Sequence, residues 1–267
     1  MSADGAVGRS ASRIRLIEEL AANAWPAYIE QSIDGWRLRH TPGVRARRSN
    51  SVLPLDATGP TPLEERLVMV ERFYESRGLP ARFQLSPVSA PNDLDAVLAD
   101  RGYEVDTPVE VQAAPLEEVL DRTAFASAAV DVASTPDEGW LFLWTELFRR
   151  GDPVVTRERV LDRIAPATGF ALLERGDDPV AVGFGVVERG WMGIFGMATV
   201  PGARRGGAAT AVLNALAGWA EGLEAKDCYL QVEAGNAPAL GLYERSGFRT
   251  LYRYHYRTGH SRIRRPA

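Results

Sequence analysis

The sequence predicts an α/β (α+β) fold in two successive units, each a layer of strands flanked by helices. Three observations support this. Segments of helical periodicity alternate with short strand-like runs along the chain. The second half repeats much of the order of the first. An apolar fraction of 45% over 267 residues suffices for one large core or two ordinary ones.

The elements follow in order. Ile14, Ile17, Leu20 and Ala21 share one face of a helix expected from Ile14 to about Tyr28, with Pro26 near its end. Strand-like runs at 35–39 and 49–55, parted by Thr41-Pro42-Gly43, predict a hairpin. After the Gly59-Pro60-Thr61-Pro62 breaker, Leu67, Val70, Phe73 and Tyr74 mark a helix over 63–77 that Gly78 can cap. A strand at 81–85, a helix at 92–101 and a strand at 109–113 close the first half. Beyond it, 140–148 and 156–164 read as helices, and 169–175, 179–188 and 191–200 as three antiparallel strands joined by the Gly176-Asp177-Asp178 and Arg189-Gly190 turns. A helix over 205–223, a strand at 229–232, a helix at 238–246 and a strand pair near 248–257 complete the order. The expected organisation is a disordered N-terminus at 1–12, a first domain at 13–116, a second at 117–259, and a flexible basic tail at 260–267.

Composition narrows the function classes. A formal charge of −4 argues against a broad nucleic-acid-binding surface. Cys228 is the only cysteine, and His40, His255 and His260 lack zinc-site spacing, so neither an internal disulfide nor a structural metal is expected. No run of about 18 apolar residues occurs, which predicts no membrane span and, with the polar N-terminus, a cytoplasmic protein.

Chemistry concentrates in two stretches. In Met197-Ala198-Thr199-Val200-Pro201-Gly202-Ala203-Arg204-Arg205-Gly206-Gly207-Ala208-Ala209-Thr210, a strand ends, a glycine- and arginine-bearing loop follows, and a helix starts at once. Glycines let backbone N–H groups approach a phosphate, a helix N-terminus adds positive partial charge, and Arg204 and Arg205 add charged donors. An ordinary turn before a buried helix has the same composition. The absence of a following Gly-Lys-Ser/Thr excludes a Walker loop. The second stretch, Asn236-Ala237-Pro238-Ala239-Leu240-Gly241-Leu242-Tyr243-Glu244-Arg245-Ser246-Gly247-Phe248, follows the next strand.

Together these resemble the GNAT superfamily of acyl-CoA N-acyltransferases, whose motifs read Gln/Arg-x-x-Gly-x-Gly/Ala and Asn-x-x-Ala-x-x-Leu-Tyr-x-x-x-Gly-Phe. Arg204-x-x-Gly207-x-Ala209 fills the first, and Asn236-x-x-Ala239-x-x-Leu242-Tyr243-x-x-x-Gly247-Phe248 the second. The resemblance implies two GNAT-like domains, each a mixed, mostly antiparallel sheet flanked by helices. It implies acetyl-CoA as co-substrate and an amine acceptor as partner. Met197, Ala198 and Thr199 would hold the pantetheine arm through their backbone. Arg204, Arg205, Gly206, Gly207, Ala208, Ala209 and Thr210 would hold the pyrophosphate, and Asn236 would contact the pantetheine. Tyr243 would protonate the departing thiolate; a core aromatic is the alternative.

Several relatives carry a basic carboxylate five residues before the motif asparagine, where this chain has Gln231. Glu233, Glu188 and His255 are the other candidates, and an amine arriving neutral needs no strong base. Cys228 reads as a buried small residue and not a covalent carrier.

Residues 14–113 follow the same grammar faintly. Val52-Leu53-Pro54 aligns with Thr199-Val200-Pro201, and 94–103 with 239–248, but the loop after Pro54 brings Asp56, Glu64 and Glu65 and no phosphate motif. The first unit is expected to be a degenerate copy without cofactor. Trp36, Arg37, Arg39, Arg45, Arg47, Arg48 and Asn50 could face an acceptor cleft or lie solvated; Trp140, Trp144 and Phe148 could be core or pocket wall. The expected state is a monomer or homodimer. A non-enzymatic acyl-CoA sensor or interaction module is the rival to a transferase.

Overall fold

The computed structural model describes residues 3–126, 129–148, 157–176 and 178–260. Thr156 of one expected helix, Asp177 of one expected turn and the tail from Ser261 lie outside them. The chain divides into two compact units, each assembled from separate segments. Met1–Glu19, Ala27–Val109 and Tyr252–Ala267 form the first, and Leu20–Pro26 with Glu110–Leu251 the second.

Helix α1 (Ala3–Ala24) opens the chain. It incorporates residues 3–12, expected to be disordered: Ala3, Ala6 and Ala11 favour helix, and no proline interrupts before Pro26. The first unit continues with β1 (Ile29–Ile33), β2 (Trp36–His40), β3 (Val52–Pro54), α2 (Leu63–Glu75), β4 (Arg82–Leu85), α3 (Leu94–Asp100) and the start of β5 (Glu104–Pro115). Strand β1 carries only Ile29 and Ile33 as large apolar residues, too sparse a pattern to be legible in the sequence. The second unit contains α4 (Leu116–Thr123), β6 (Asp131–Ala133), α5 (Glu138–Phe148), β7 (Ala167–Arg175), β8 (Asp178–Glu188), β9 (Trp191–Thr199), α6 (Ala208–Glu221), β10 (Asp227–Glu233) and α7 (Ala237–Arg245). The expected strand pair at the end is one strand, β11 (Arg249–Thr258), because no turn residue breaks its alternating aromatic pattern. The expected helix at 156–164 shows α-helical residues at 157–159 and a 3-10 turn at Leu161–Arg163.

Each unit carries a mixed, mostly antiparallel strand layer. In the first the order is β1-β2-β3-β4-β11, antiparallel throughout except for the parallel β3–β4 contact at Val52 and Phe83. In the second it is β5-β10-β9-β8-β7-β6, with β10 and β9 parallel and β9 to β6 successively antiparallel. The units divide two strands: residues 110–115 of β5 belong to the second unit, and 252–258 of β11 to the first.

The first core gathers Trp36, Leu38, Leu67, Val70, Tyr74, Phe83 and Leu98, all buried. Arg39, Arg47 and Arg37 are each engaged within this unit. Arg39 is 3% exposed and donates to the Ser51 carbonyl, to Ser51 Oγ and to Gln84 Oε1. Arg47 pairs with Asp106 at 2.8 Å and Arg37 with Glu30 at 3.1 Å, while Asn50 Nδ2 donates to the carbonyls of Val44 and Ala46. Gln84 in turn donates to Glu18 at 2.7 Å, and Tyr252 donates to the same carboxyl at 2.7 Å.

In the second unit the alanine-rich face of α6 lies on the layer, burying Ala208, Ala211, Val212, Leu216, Ala217 and Ala220 at helical spacing. The paired Gly169 and Gly185 leave room for the Trp219 ring; a Cβ at Gly169 would come within 2.8 Å of it. Among the described residues no helix is long and apolar enough to cross a membrane.

Burial pushes the Glu18 carboxyl above its ordinary 4.5, against the opposing bonds from Tyr252 and Gln84. The folded state therefore holds this proton more tightly than the unfolded chain. The associated stability is present below about pH 4.5 and is lost as pH rises through the raised folded value. Glu18→Gln should flatten that fall, measured as urea unfolding free energy from about pH 4 to about 8.

Candidate active site

The site begins where β9 and β10 part. Their parallel pairing runs from Trp191↔Asp227 to Ile194↔Leu230 and stops, although β9 continues to Thr199 and β10 to Glu233. The cause is local. Opposite Gly183 of β8 the register slips, so that Val182 pairs with Ala198 but Phe184 with Phe195, and Gly196 takes a left-handed φ of 61°. This bulge bends β9 as an extra residue does in any antiparallel pair. Packing reinforces it: a Cβ on Gly196 would meet Trp144 Nε1 at 2.6 Å, and one on Gly183 would meet Met197 Sδ at 2.4 Å. Met197, Ala198 and Thr199, half-buried, lie on the stretch of β9 that has left β10.

The loop after β9 tightens into a 3-10 turn at Pro201–Ala203, with Ala203 N–H bonded to the Val200 carbonyl at 3.0 Å. Arg204 then turns back, its Nε donating to the Thr199 carbonyl at 3.3 Å. Arg205 and Gly207 have left-handed φ values of 59° and 82°. Gly207 is the N-cap of α6 and supplies no side chain; the first helical bond is Ala211 N–H to the Gly207 carbonyl at 2.9 Å. In between, the N–H groups of residues 205–210 bond no carbonyl of the described residues. These N–H groups stand at the positive end of a fourteen-residue helix.

Beside this loop is a cavity of about 540 Å³, whose wall includes Gly206, Gly207, Ala208, Arg175 and Phe125. Arg175, at the end of β7, brings its Nη2 within 3.3 Å of where a Gly206 Cβ would be. Sequence reasoning missed it, since an arginine before a hairpin turn has no local signature of a site.

Helix α7 carries the second motif. Asn236 is its N-cap, with Oδ1 accepting from Ala239 N–H at 3.3 Å. Tyr243 is buried at 7% exposure and packs edge-to-face on Phe248 at 5.7 Å. Burial pushes its phenol up to about 12, so it stays protonated across the neutral range. Gly247, at φ 97°, closes the helix in contact with Glu118 of α4.

The base candidates separate. Gln231 is half-buried on the part of β10 that has left β9, and Glu233 is exposed at the strand's end. Both Glu188 oxygens accept from Asn23 Nδ2, at 3.1 and 3.2 Å. His255 bonds Asp95 at 2.9 Å within the first unit. Burial raises the Cys228 thiol, keeping it out of the nucleophilic thiolate form.

Trp140 and Trp144 belong to the core. Their rings stack at 5.4 Å, and Trp140 Nε1 donates to the carbonyls of Ala171 and Gly183. Phe184, Phe195 and Tyr229 extend this aromatic layer to β10.

In the first unit the corresponding loop is filled from within. Asp34 Oδ2 accepts from Thr61 N–H at 2.8 Å just ahead of α2, and Gly59 packs directly on the Asp34 carboxyl. Those bonds hold the Asp34 carboxyl below its ordinary range.

Residues 11–257 match the family described as probable histone acetyltransferase Rv0428c, C-terminal. The chain belongs to that family. It is 32% identical over 247 residues to the Bacillus subtilis protein named uncharacterized N-acetyltransferase YobR, covering 91% of this chain and 98% of that one. It is 26% identical over 250 residues to the probable histone acetyltransferase Rv0428c of Mycobacterium tuberculosis, covering 91% and 73%. A GCN5-related N-acetyltransferase from Kribbella flavida shares the fold at a TM-score of 0.67 and 14% identity, covering 93% and 95% of the two chains. So does a tandem GNAT protein from the clavulanic acid biosynthesis pathway, at 0.58 and 12%, covering 81% and 76%. The family is a GNAT-type one and its curated relatives are named acetyltransferases, which supports a GNAT-type acetyltransferase here.

Since Gly207 is left-handed, Gly207→Ala should destabilise the protein by about 1–2 kcal/mol in urea unfolding. Gly235→Ala, where a Cβ meets nothing within 4 Å and φ is not left-handed, should stay within about 0.5 kcal/mol.

Proposed function

We propose that the second unit binds acetyl-CoA and transfers its acetyl group directly to a primary amine of a small molecule, peptide or protein. The observation that carries this reading is the row of unpaired N–H groups at residues 205–210, at the mouth of α6 and next to the parted strands. A diphosphate satisfies such donors, and the glycines admit it. The pantetheine then lies along Met197, Ala198 and Thr199, with Asn236 at its other side. Amine nitrogen attacks the thioester carbonyl carbon, the carbon–sulfur bond breaks, and the thiolate takes the Tyr243 proton. The Tyr243 phenol is protonated at neutral pH and so carries the proton that this step needs. Gln231 cannot act as base; the acceptor enters as the neutral amine and releases its proton to water, directly or by way of Glu233, while the Tyr243 phenolate regains a proton from solvent.

The first unit takes no second cofactor in this reading. Its loop already holds the Asp34 carboxylate on the Thr61 N–H, and a diphosphate there would meet like charge.

Calorimetry of the whole chain should give one acetyl-CoA per chain; two sites, or none, would refute this account. Tyr243→Phe should leave acetyl-CoA affinity nearly intact and lower thioester turnover on a responsive amine at least about tenfold. Unchanged turnover would remove Tyr243 from the role of acid.

A further inference from the structure

We infer that Arg175 reads the 3′-phosphate of coenzyme A, and that the cavity beside it receives the adenosine. This rests on the acetyl-CoA reading above and adds a specificity-determining residue to it. The six loop N–H groups meet the needs of a diphosphate by themselves, and leave unexplained an adjacent cavity of about 540 Å³. That volume falls within the roughly 300–1,000 Å³ range of sites for organic ligands and is far beyond what a phosphate pair fills.

Its walls are of two kinds. Phe125, Leu173 and Ala211 are apolar, and Phe125 is 76% exposed, an aromatic face open for a base to stack on. Arg175 and Glu174 supply one charge of each sign. A carboxylate repels phosphate but accepts from an amino group, whereas a guanidinium binds a phosphomonoester by two parallel donors. A ligand joining a phosphomonoester to an amino-bearing base satisfies both.

Position makes the assignment specific. Arg204 is turned back on the Thr199 carbonyl, while Arg175 Nη2 lies against Gly206, in the middle of the donor row. A single ribose separates the diphosphate of coenzyme A from its 3′-phosphate, so a diphosphate on residues 205–210 brings the monoester within reach of a cation beside Gly206. The glycine matters to this cation too: a Cβ there would crowd the guanidinium at 3.3 Å.

The test is calorimetric titration of the full chain and of Arg175→Gln with coenzyme A and with 3′-dephospho-coenzyme A. Arg175 is exposed at a strand end, so the substitution leaves the cores untouched. The wild type should bind coenzyme A at least about tenfold more tightly than the dephospho form, as loss of a charge-assisted pair implies. Arg175→Gln should abolish that preference by weakening coenzyme A alone. Equal weakening of both ligands would place Arg175 on the diphosphate and overturn the inference, as would a wild type with no preference. If the wild type bound neither ligand, the acetyl-CoA reading itself would fall.

Discussion

The separation of β9 from β10 beyond Ile194 and Leu230 is the constraint on which the second unit's candidate site depends. Buried or half-buried backbone must be hydrogen-bonded, and strands that stop pairing create donors and acceptors that need a partner. Here the parting is built in by the bulge at Gly196, and the bulge is fixed by Trp144 from one side and by Met197 over Gly183 from the other. The same bend delivers the chain into the loop whose N–H groups open at the N-terminus of α6. Strand register, aromatic packing and the loop before α6 are therefore one mechanical arrangement.

The two units show how one order of elements can take opposite electrostatic forms. Each has an antiparallel run, one parallel pair and a helix after the first strand of that pair. In the second unit glycines leave that helix mouth open; in the first, Pro62 precedes α2 and the Asp34 carboxylate occupies the Thr61 N–H. An internal carboxylate is always present at full effective concentration, so a phosphate cannot compete for that N–H without displacing it. The first unit spends its polar groups on its own interior instead, through Glu18, Gln84, Arg39 and Ser51.

Arginines and tryptophans illustrate the limit of local reading. Arg39 and Asn50 looked like surface or cleft residues because charge and amide groups favour water, yet each is buried with its hydrogen bonds met inside. Trp140 and Trp144 were ambiguous because helical spacing shows which face is apolar and not what covers it; the stack beneath α5 makes them core. Arg175 was invisible because its meaning comes from Gly206, thirty-one positions away and adjacent only in space.

What the sequence determined by itself was local. Periodicity set most helices and strands but not β1, β6 or α4, turn residues set the hairpins among β2, β3 and β7 to β9, and the paired motifs around Gly207 and Tyr243 identified the family before any coordinate, since φ-demanding glycines and a helix start leave a mark in neighbouring residues. Tertiary structure decided the partners: where β9 leaves β10, which donors remain unpaired, and that β5 and β11 each divide between the two units. The physical reason is that strand periodicity records which face is buried, whereas edge-to-edge hydrogen bonding is made by a backbone common to all residues and is chosen only when distant segments meet.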